Sequence, residues 1–410
     1  MLYKNTPVGE IPIEWEVKKL GEVGVFSKGK GITKEQVRSE GLPCIRYGEI
    51  YTTHDYIIKK FVSYIEEDLV KESQKIKKND ILFAGSGETI EDIGKSVAYT
   101  KDEIAFAGGD IIILSTNETE NAECIAYLLE TDYSRKQKRK FGQGNSVVHI
   151  YSSSLSTLKI ALPPLPEQRR IATLLSTWDS GIATLGALLA ELQNRKKYLA
   201  QQLLSGKKRV FGFEEKWKEV DFERVITRIV RKNDIESTNV VTISAQRGFV
   251  RQEDFFSRKV ASETLTGYYL IKEGEFAYNK SYSNGYPMGA FKRLNGFKFG
   301  VVTTLYICFS INEGYNSNFL VHFFENGFMN NSLSKIAQEG GRAHGLLNIG
   351  LSDFLHLQIK LPSYAEQTAI AKILDQSECE IELVKQQLAA LKLQKKGLMQ
   401  ILLTGKKRLK

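Results

Sequence analysis

The stretch LPPLPEQRRIATLLSTWDSGIATLGALLAELQNRKKYLAQQLLSGKKR (162–209) occurs again as LPSYAEQTAIAKILDQSECEIELVKQQLAALKLQKKGLMQILLTGKKR (361–408). The two copies align without a gap at an offset of 199 residues, and 21 of their 48 positions are identical. A duplication with so long a period dictates the architecture, because each copy must belong to a repeated structural unit. The sequence therefore predicts an internal repeat with pseudo-two-fold symmetry.

Each copy has the apolar spacing of a long coiled-coil helix. Apolar residues recur at alternating steps of four and three, and a helix of this length spans roughly 60 Å. Lys196 and Lys395 interrupt the pattern at equivalent positions. The predicted seam consists of Ile171, Leu175, Ile182, Leu185, Leu189, Leu192, Leu199 and Leu203 in the first helix, and of Ile370, Leu374, Ile381, Val384, Leu388, Leu391, Leu398 and Leu402 in the second.

Both helices carry signals at their ends. Ser363 and Glu366 have the spacing of a capping box, and Pro166 suits a first turn. Gly206 and Gly405 follow the last apolar residues and predict helix termination, and each precedes Lys-Lys-Arg. A homo-oligomeric coiled coil or a simple core helix is the ordinary interpretation of such a stripe. Two helices of equal length and phase in one chain instead favour an intramolecular antiparallel pair.

The helices separate two globular segments that differ in sequence but share landmarks. Trp15 corresponds to Trp217, the stretch 76–87 to 271–282, and the stretch 142–155 to 340–354. Short β-rich segments, with a helical stretch around 121–140 and another around 316–338, predict two α+β domains of one fold. The predicted segments are a first domain at 1–161, a first spacer helix at 162–210, a second domain at 211–360 and a second spacer helix at 361–410.

Composition is that of a soluble protein with more than one domain. The 410 residues are 42% hydrophobic and 26% charged. The chain has no run of about 18 apolar residues, and its first residues lack the apolar core of a signal peptide, so we expect no membrane segment. Four widely spaced cysteines without a C-x-x-C pair argue against a zinc site or a disulfide framework, and they favour a reducing cytoplasm.

The positive charge is concentrated in the helical segments. The net charge of +9 indicates an anionic partner. Residues 162–210 carry 8 basic and 3 acidic side chains, and residues 361–410 carry 9 and 5. The globular domains are therefore expected to contact nucleic acid through local patches. The Lys-Lys-Arg helix ends are candidates to approach phosphates or an acidic partner.

The order of segments resembles the specificity subunit of type I restriction–modification systems. The chain has a variable domain, an LP-x3-EQ helix ending in L-[ST]-G-K-K-R, a second variable domain and the same helix again. The resemblance covers essentially the whole chain. It implies that each variable domain, called a target-recognition domain, recognises one half of a bipartite double-stranded DNA site. It also implies that the helices set the half-site spacing and dock partner subunits.

The partners that this resemblance implies are DNA adenine methyltransferase subunits, expected as two copies, and endonuclease/translocase subunits. S-adenosylmethionine is then expected on the methyltransferase partner, with no cofactor and no metal in this chain.

Motifs for catalysis are missing from the sequence. Adenine methyltransferases use an N/D-P-P-Y/F loop, but the chain has Pro-Pro only in LPPL (162–165), and it has no Pro-Asp of the common nuclease motif. GVFSKGKG (24–31) matches a phosphate-binding loop up to Lys30, but Gly31 replaces the hydroxyl residue. We therefore expect a non-catalytic subunit. The alternatives are a stand-alone DNA-modifying enzyme with unrecognised motifs and a coiled-coil protein-binding scaffold.

Candidate DNA-binding residues are polar and basic side chains next to small residues. Such side chains bind base edges, and basic groups add phosphate contacts. Asn145 and His344 occupy equivalent positions at the offset of 199. The candidates are Arg46, Tyr47, Ser86 of the 85–87 loop, Lys138, Arg139, Lys140, Gln143 and Asn145 in the first domain, and Gln246, Arg247, Asn279, Lys280, Tyr282, Arg342 and His344 in the second.

Overall fold

The chain divides into two compact units. A computed structural model describes residues 2–144, 146–255, 265–337 and 345–409. Unit 1 comprises Met1–Gly186 and Gln387–Lys410, and unit 2 comprises Ala187–Gln386. Because this division falls within both long helices, each unit contains half of each helix. The sequence-based boundaries, in contrast, lie at the helix ends.

Unit 1 is built on two sheets. A five-stranded sheet has the order β4-β13-β9-β11-β6, and a four-stranded sheet has the order β7-β5-β12-β8. The strands are β1 (Tyr3–Thr6), β2 (Gly9–Pro12), β3 (Glu16–Lys19), β4 (Gly24–Lys28), β5 (Leu42–Ile45), β6 (Tyr56–Ile57), β7 (Ser63–Ile65), β8 (Gln74–Ile76), β9 (Asp80–Ala84), β10 (Ser86–Gly87), β11 (Ser96–Tyr99), β12 (Ala105–Ala107), β13 (Ile111–Thr116), β14 (Val148–His149) and β15 (Lys159–Leu162).

Short helices flank these sheets, and a long helix follows. The helices of unit 1 are α1 (Leu20–Val23), α2 (Tyr47–Thr52), α3 (Ala122–Leu128), α4 (Asp132–Phe141) and α5 (Ser152–Thr157), and the long helix α6 (Leu165–Leu204) continues into unit 2. Three-residue and five-residue 3-10 turns lie at Lys34–Gln36 and Glu67–Lys71. β9 is buried along its full length, because β13 and β11 pair with its two edges and its side chains alternate between two apolar clusters, one on each face.

Unit 2 repeats the central sheet of unit 1. Its four-stranded sheet has the order β17-β24-β21-β22, which matches β4-β13-β9-β11 strand for strand. The strands are β16 (Lys218–Asp221), β17 (Ile226–Ile229), β18 (Val241–Ser244), β19 (Gly248–Arg251), β20 (Tyr269–Lys272), β21 (Phe276–Asn279), β22 (Ala290–Arg293), β23 (Phe299–Val302), β24 (Ile307–Ile311) and β25 (Gln358–Leu361). The helices are α7 (Phe222–Val225), α8 (Gln252–Phe255), α9 (Ser317–Glu325), α10 (Asn330–Ile336), α11 (Leu351–Leu355) and the long α12 (Tyr364–Leu402).

The long helices are part of the domain cores. In unit 1, Ile171 and Leu175 of α6 and Leu402 of α12 are buried in one apolar cluster with Trp15. In unit 2, Leu203 of α6 and Ile370 and Leu374 of α12 are buried with Phe222 and its aromatic neighbours. Apolar burial of this kind stabilises each unit by about 25 cal/mol per Å² removed from water. The predicted α+β repeat with two long helices is therefore confirmed.

Within each unit the two helices run antiparallel along the predicted seam. In unit 1, Asp179 of α6 pairs with Lys395 of α12, and in unit 2, Lys196 pairs with Glu378 at a distance of 3.0 Å. All sixteen seam residues are buried or half-buried. The fully buried members are Ile171, Leu175, Leu192, Leu203, Ile370, Leu374, Ile381, Val384 and Leu402.

The helix ends agree with the sequence signals except at one glutamate. Gly206 and Gly405 follow the last turns with φ of 70°, so the predicted helix stops are confirmed. A Cβ at Gly405 would also lie 2.4 Å from Pro12 Cδ, so a larger residue would not fit there. Ser363 Oγ accepts the backbone N–H of Glu366 at 3.5 Å. The predicted capping box is incomplete, because the Glu366 carboxylate bonds to other partners.

Candidate DNA interface and the helix clamps

The glutamate of the first LP-x3-EQ motif forms a buried clamp in unit 1. Trp15 Nε1 donates to Glu167 Oε2 at 3.1 Å. The Arg408 guanidinium donates to the same carboxylate from Nε at 2.7 Å and from Nη2 at 2.6 Å, and it also pairs with Glu14 at 2.7 Å. The hydrogen bonds to Glu167 and Glu14 raise the pKa of the Arg408 guanidinium above its ordinary value. The start of α6 is thus held by the residue that follows the end of α12.

The mirror arrangement exists in unit 2. Trp217 Nε1 donates to Glu366 Oε2 at 3.2 Å, and Arg209 donates to both oxygens of Glu366 at 2.6 Å. The two clamps explain the spacing of the repeated motif. Because the helices are antiparallel, the EQ glutamate at one helix start meets the arginine of Lys-Lys-Arg at the other helix end. The prediction that the Lys-Lys-Arg ends approach phosphates or an acidic partner is therefore corrected for the two arginines, since both form ion pairs within the chain. It stays a prediction for the lysines that precede them, which are exposed.

The glutamine of each EQ motif fixes the start of a domain helix. Gln168 Oε1 accepts the backbone N–H of Asn121, the N-cap residue of α3, at 2.9 Å. Gln367 Oε1 accepts the backbone N–H of Asn316, the N-cap residue of α9, at 2.8 Å. Both glutamines are buried. Each spacer helix is therefore joined to its globular domain by the same polar contact.

Three separate stretches of unit 1 meet in what we call loop cluster 1 (residues 46–51, 85–94, and 143–144 with 146–149). β10 pairs antiparallel with β14, with Ser86 opposite His149. Tyr51 Oη of α2 donates to the Ser86 carbonyl at 3.1 Å. A Cβ at Gly87 would lie 2.8 Å from Tyr51 Oη, so a larger residue there would displace the Tyr51 hydroxyl. Tyr51 from the stretch that follows Arg46, the Ser86 loop and the bridge between Gln143 and His149 thus come together at one place.

Two of the candidate side chains in unit 1 are corrected by the structure. Lys138 is only 3% exposed, and its Nζ donates to Glu130 at 2.9 Å and to the Gly94 carbonyl at 3.1 Å. Burial lowers the pKa of Lys138, with Glu130 opposing the shift. Ser86 is buried, and its hydroxyl lies 3.0 Å from His149 Nδ1. Neither side chain is accessible to DNA in this conformation.

The other described candidates of unit 1 are exposed, except Arg46, which is half-buried and bonded to a glutamate. Arg139, Lys140 and Gln143 are exposed, and Tyr47 is 41% exposed. Arg46 is half-buried, and its Nε donates to Glu49 at 2.8 Å. Among the described residues neither Arg139 nor Lys140 has a carboxylate partner within ion-pair distance. Asn145 lies outside the described residues.

Unit 2 contains an equivalent loop cluster 2 (residues 245–248, 279–286 and 345–347). Ser281 forms a bridge with Leu346, and the Tyr282 N–H donates to the Gly345 carbonyl at 2.8 Å. Gln246 Nε2 donates to the Asn284 carbonyl at 3.1 Å. The β18–β19 turn, the loop after β21 and the segment before α11 therefore meet, as their counterparts do in unit 1.

The candidates of unit 2 that the structure describes line this cluster. Tyr282 is 62% exposed, and Gln246 and Arg247 are exposed, with the Arg247 guanidinium 5.8 Å from the Phe255 ring centre. Asn279 and Lys280 are half-buried, and Asn279 Oδ1 accepts the Ser281 N–H. Arg342 and His344 lie outside the described residues.

Several further residues belong to the two clusters and were not predicted from the sequence. In cluster 1, His149 is exposed beside Ser86, and Ile90 and Val147 are exposed apolar side chains of a kind that can contact thymine methyl groups. In cluster 2, Asn284 holds Gln246, and Tyr286 closes the loop. Residues 85–87 and 148–149 belong to stretches that match between the two halves of the sequence, and this match could have suggested that they pair. Nothing in the sequence indicated that Ile90 and Val147 would be exposed beside them.

No metal site is found among the described residues, because they contain no group of three or more His, Cys, Asp or Glu side chains that could hold an ion. Within the same ranges, none of the helices is long and apolar enough to cross a membrane.

A model of the type I restriction modification DNA specificity domain matches the chain twice, at residues 12–194 and 207–393. The chain belongs to this family. Each match contains one loop cluster and most of one long helix, so the resemblance seen in the repeated EQ…GKKR motif is confirmed.

Relatives of this specificity family match nearly the whole chain. The chain is 27% identical to a Methanocaldococcus jannaschii protein named for the specificity subunit of the type I restriction enzyme MjaX, over 100% of this chain and 97% of that one. It is 25% identical to the MjaVIII specificity subunit of the same organism, over 98% and 94%. The structure of a type I restriction–modification S subunit from M. genitalium superposes with a TM-score of 0.60 at 14% identity, covering 96% of both chains, and so shares the fold.

Proposed function

We propose that this chain is the DNA-specificity subunit of a type I restriction–modification complex, and that each loop cluster recognises one half of a bipartite duplex site. The observation that supports this most directly is the convergence in each unit. Three stretches distant in sequence meet on matched frames, and their exposed side chains differ between the units. Two different surfaces on one repeated scaffold suit the recognition of two different half-sites.

The chemistry of the exposed side chains fits base recognition. Gln246 and Arg247 can make paired hydrogen bonds to adenine and guanine edges, and Tyr282 adds an exposed ring. Arg139 and Lys140 at the end of α4 provide cations for phosphates in unit 1. Phosphate contacts position the protein, whereas the cluster side chains distinguish sequences.

The two long helices serve as the spacer and as the docking surface for other subunits. The chain supplies recognition, and methyl transfer and cleavage belong to partner chains. Methyltransferase subunits, expected as two copies, would bring S-adenosylmethionine, and endonuclease/translocase subunits would complete the restriction complex. Cytoplasmic DNA is the expected target, which matches the four free cysteines.

Selection of binding sites from random duplex DNA tests this proposal, with the full-length chain alone and with its methyltransferase partner. The expected result is a site of two short sequences separated by a spacer of unspecified bases. Replacing Gln246 and Tyr282 together by Ala should relax one of these sequences and leave the other unchanged. Methyl transfer or cleavage by the purified chain alone would favour the enzyme alternative, and the absence of any selected sequence would favour a protein-binding scaffold.

A further inference from the structure

A glutamate occupies the same position in both units, behind each loop cluster. Counted from the N-cap residues Asn121 of α3 and Asn316 of α9, Glu130 and Glu325 both lie nine residues further along. Both glutamates bind a buried lysine. The two lysines, however, come from different elements, since Lys138 lies on α4 and Lys292 lies on β22.

In unit 1 the buried lysine reaches the loop that leaves β9. Lys138 Nζ lies 2.9 Å from Glu130 Oε1 and donates to the Gly94 carbonyl at 3.1 Å. Gly94 has φ of 69°, and a Cβ there would lie 3.3 Å from the Lys138 side chain. The loop of residues 85–94 is thereby tied at its second end to α4 and to Glu130, which lies between α3 and α4, while the β10–β14 pairing holds its first end.

In unit 2 the equivalent loop is tied through a tyrosine. Tyr286 Oη donates to Glu325 Oε2 at 2.7 Å, and Lys292 Nζ lies 2.5 Å from Glu325 Oε1 and 3.1 Å from Tyr286 Oη. The same ammonium lies 4.6 Å from the centre of the Tyr286 ring. Tyr286 in turn bonds to Ser283 through the backbone, closing the turn that carries Tyr282 and Asn284.

We infer that Glu130 and Glu325, with Lys138 in unit 1 and with Lys292 and Tyr286 in unit 2, are positioning residues that preset the DNA-contacting loop of each domain. This inference rests on the proposed function. Both lysine ammonium groups are buried, so losing the loop group that each one binds would leave a buried donor unsatisfied, and this cost holds the loop in one conformation. A loop that already has its bound conformation loses less conformational entropy when DNA binds. It also holds its side chains in fixed positions, so that they distinguish between bases.

The sharpest variant is Tyr286→Phe, because it removes one hydroxyl and keeps the ring over Lys292. Hydrogen exchange on the full-length chain should show faster exchange of residues 280–289, with the rest of unit 2 unchanged. Discrimination against single-base changes in one half-site should fall by roughly tenfold, which is the scale of one base contact. Lys138→Met should produce the corresponding loss at the other half-site only.

Matched controls separate anchoring from general stability. Arg293→Met alters the neighbouring cation on β22, whose guanidinium donates to Asn295, Ser317 and Asn318 rather than to the loop in the part of the chain that the structure describes. Arg135→Met removes the exposed partner of Glu130. Both controls should keep the half-site discrimination of the wild type even if they lower the unfolding temperature.

Two outcomes would overturn the inference. Unchanged exchange of residues 280–289 in Tyr286→Phe would show that the hydroxyl does not hold the loop. Faster exchange with wild-type discrimination at both half-sites would show that the anchor stabilises the loop without affecting specificity. A wild-type chain that selects no two-part site would instead refute the proposed function, and the exchange measurement would still decide whether the anchor holds the loop.

Discussion

Arg408 forms a two-pronged ion pair with Glu167, a residue 241 positions earlier in the chain, and both side chains are almost fully buried. The pair joins the C-terminal end of one copy of the repeat to the N-terminal end of the other. Its counterpart, Arg209 with Glu366, does the same in unit 2. The last residues of the chain are therefore part of the first domain's structure.

Removing Arg408 should destabilise unit 1 selectively. Arg408→Gln leaves the buried Glu167 carboxylate without its charged partner, which costs about 3 kcal/mol of unfolding free energy. Arg209→Gln should cost less and act on unit 2, because the Arg209 side chain is more exposed. Denaturant unfolding monitored by hydrogen exchange can assign each loss of unfolding free energy to unit 1 or unit 2. Equal destabilisation of both units by Arg408→Gln would contradict the clamp.

Unit 1 should lose stability at mildly acidic pH because of His54. Burial lowers the pKa of His54, and its Nε2 is buried without a hydrogen-bond partner. The unfolded imidazole binds a proton below about pH 6.5 while the folded one resists it, so the unfolding free energy falls as pH decreases, by at most about 1.4 kcal/mol per pH unit.

His54→Phe provides the control for this pH dependence. In the variant, the unfolding free energy of unit 1 should depend less steeply on pH between pH 7 and 5. An unchanged slope would show that His54 is not the source of the pH dependence. The unfolding transition of unit 1 must be followed separately, because His356 of unit 2 changes the unfolding free energy with pH in the opposite direction to His54. Its pKa is raised by a hydrogen bond to the Ser352 carbonyl, so its contribution is present below the unfolded pKa and is lost as pH rises.

Phosphate contacts and loop anchoring should differ in their dependence on salt. Arg139→Ala and Lys140→Ala should each weaken binding to all sequences and reduce the slope of log K against log salt by about one, since each removes one phosphate partner. Lys138→Met should leave the slope unchanged, because the buried ammonium meets Glu130 rather than DNA. DNA-binding titrations at several salt concentrations check this. A reduced slope of log K against log salt in Lys138→Met would show that Lys138 does contact DNA.

The spacer role predicts a change in site length. We would insert a copy of the preceding seven residues after Gly186 and after Gln386, where the compact units divide. One heptad preserves the seam and lengthens each helix by about 10 Å. The selected DNA sites should gain roughly three base pairs of spacer at about 3.4 Å per pair, with both half-site sequences retained. Insertion in α6 alone breaks the pairing and should abolish selection, and an unchanged spacer in the double insertion would exclude the spacer role.

Much of the architecture follows from local periodicity. The heptad spacing from Ile171 to Leu203 and its copy require an apolar partner along their length, so a sequence alone can predict two long paired helices. The glycines at 206 and 405 mark the ends, since positive φ is a local property of glycine. The matching of 76–87 with 271–282 was enough to select the loops that the fold brings together.

The burial of individual side chains could not be predicted in the same way. Lys138 belongs to the most basic run of the chain, and on sequence grounds it equals its neighbours Arg139 and Lys140. Lys138 lies on the face of α4 that also buries Ser134, and there its ammonium meets Glu130 and the Gly94 carbonyl. The same holds for Glu366, whose spacing from Ser363 predicts a capping box but whose carboxylate binds Arg209.

The sequence by itself determined the duplication, the two long helices, the seam and the family. These depend on repeated local patterns that any chain segment carries with it. The tertiary structure alone decided that the arginine of one copy meets the glutamate of the other, and which lysine holds each DNA-contacting loop. Such pairings join residues up to 241 positions apart, and the free energy of a buried charge depends on what the fold places beside it.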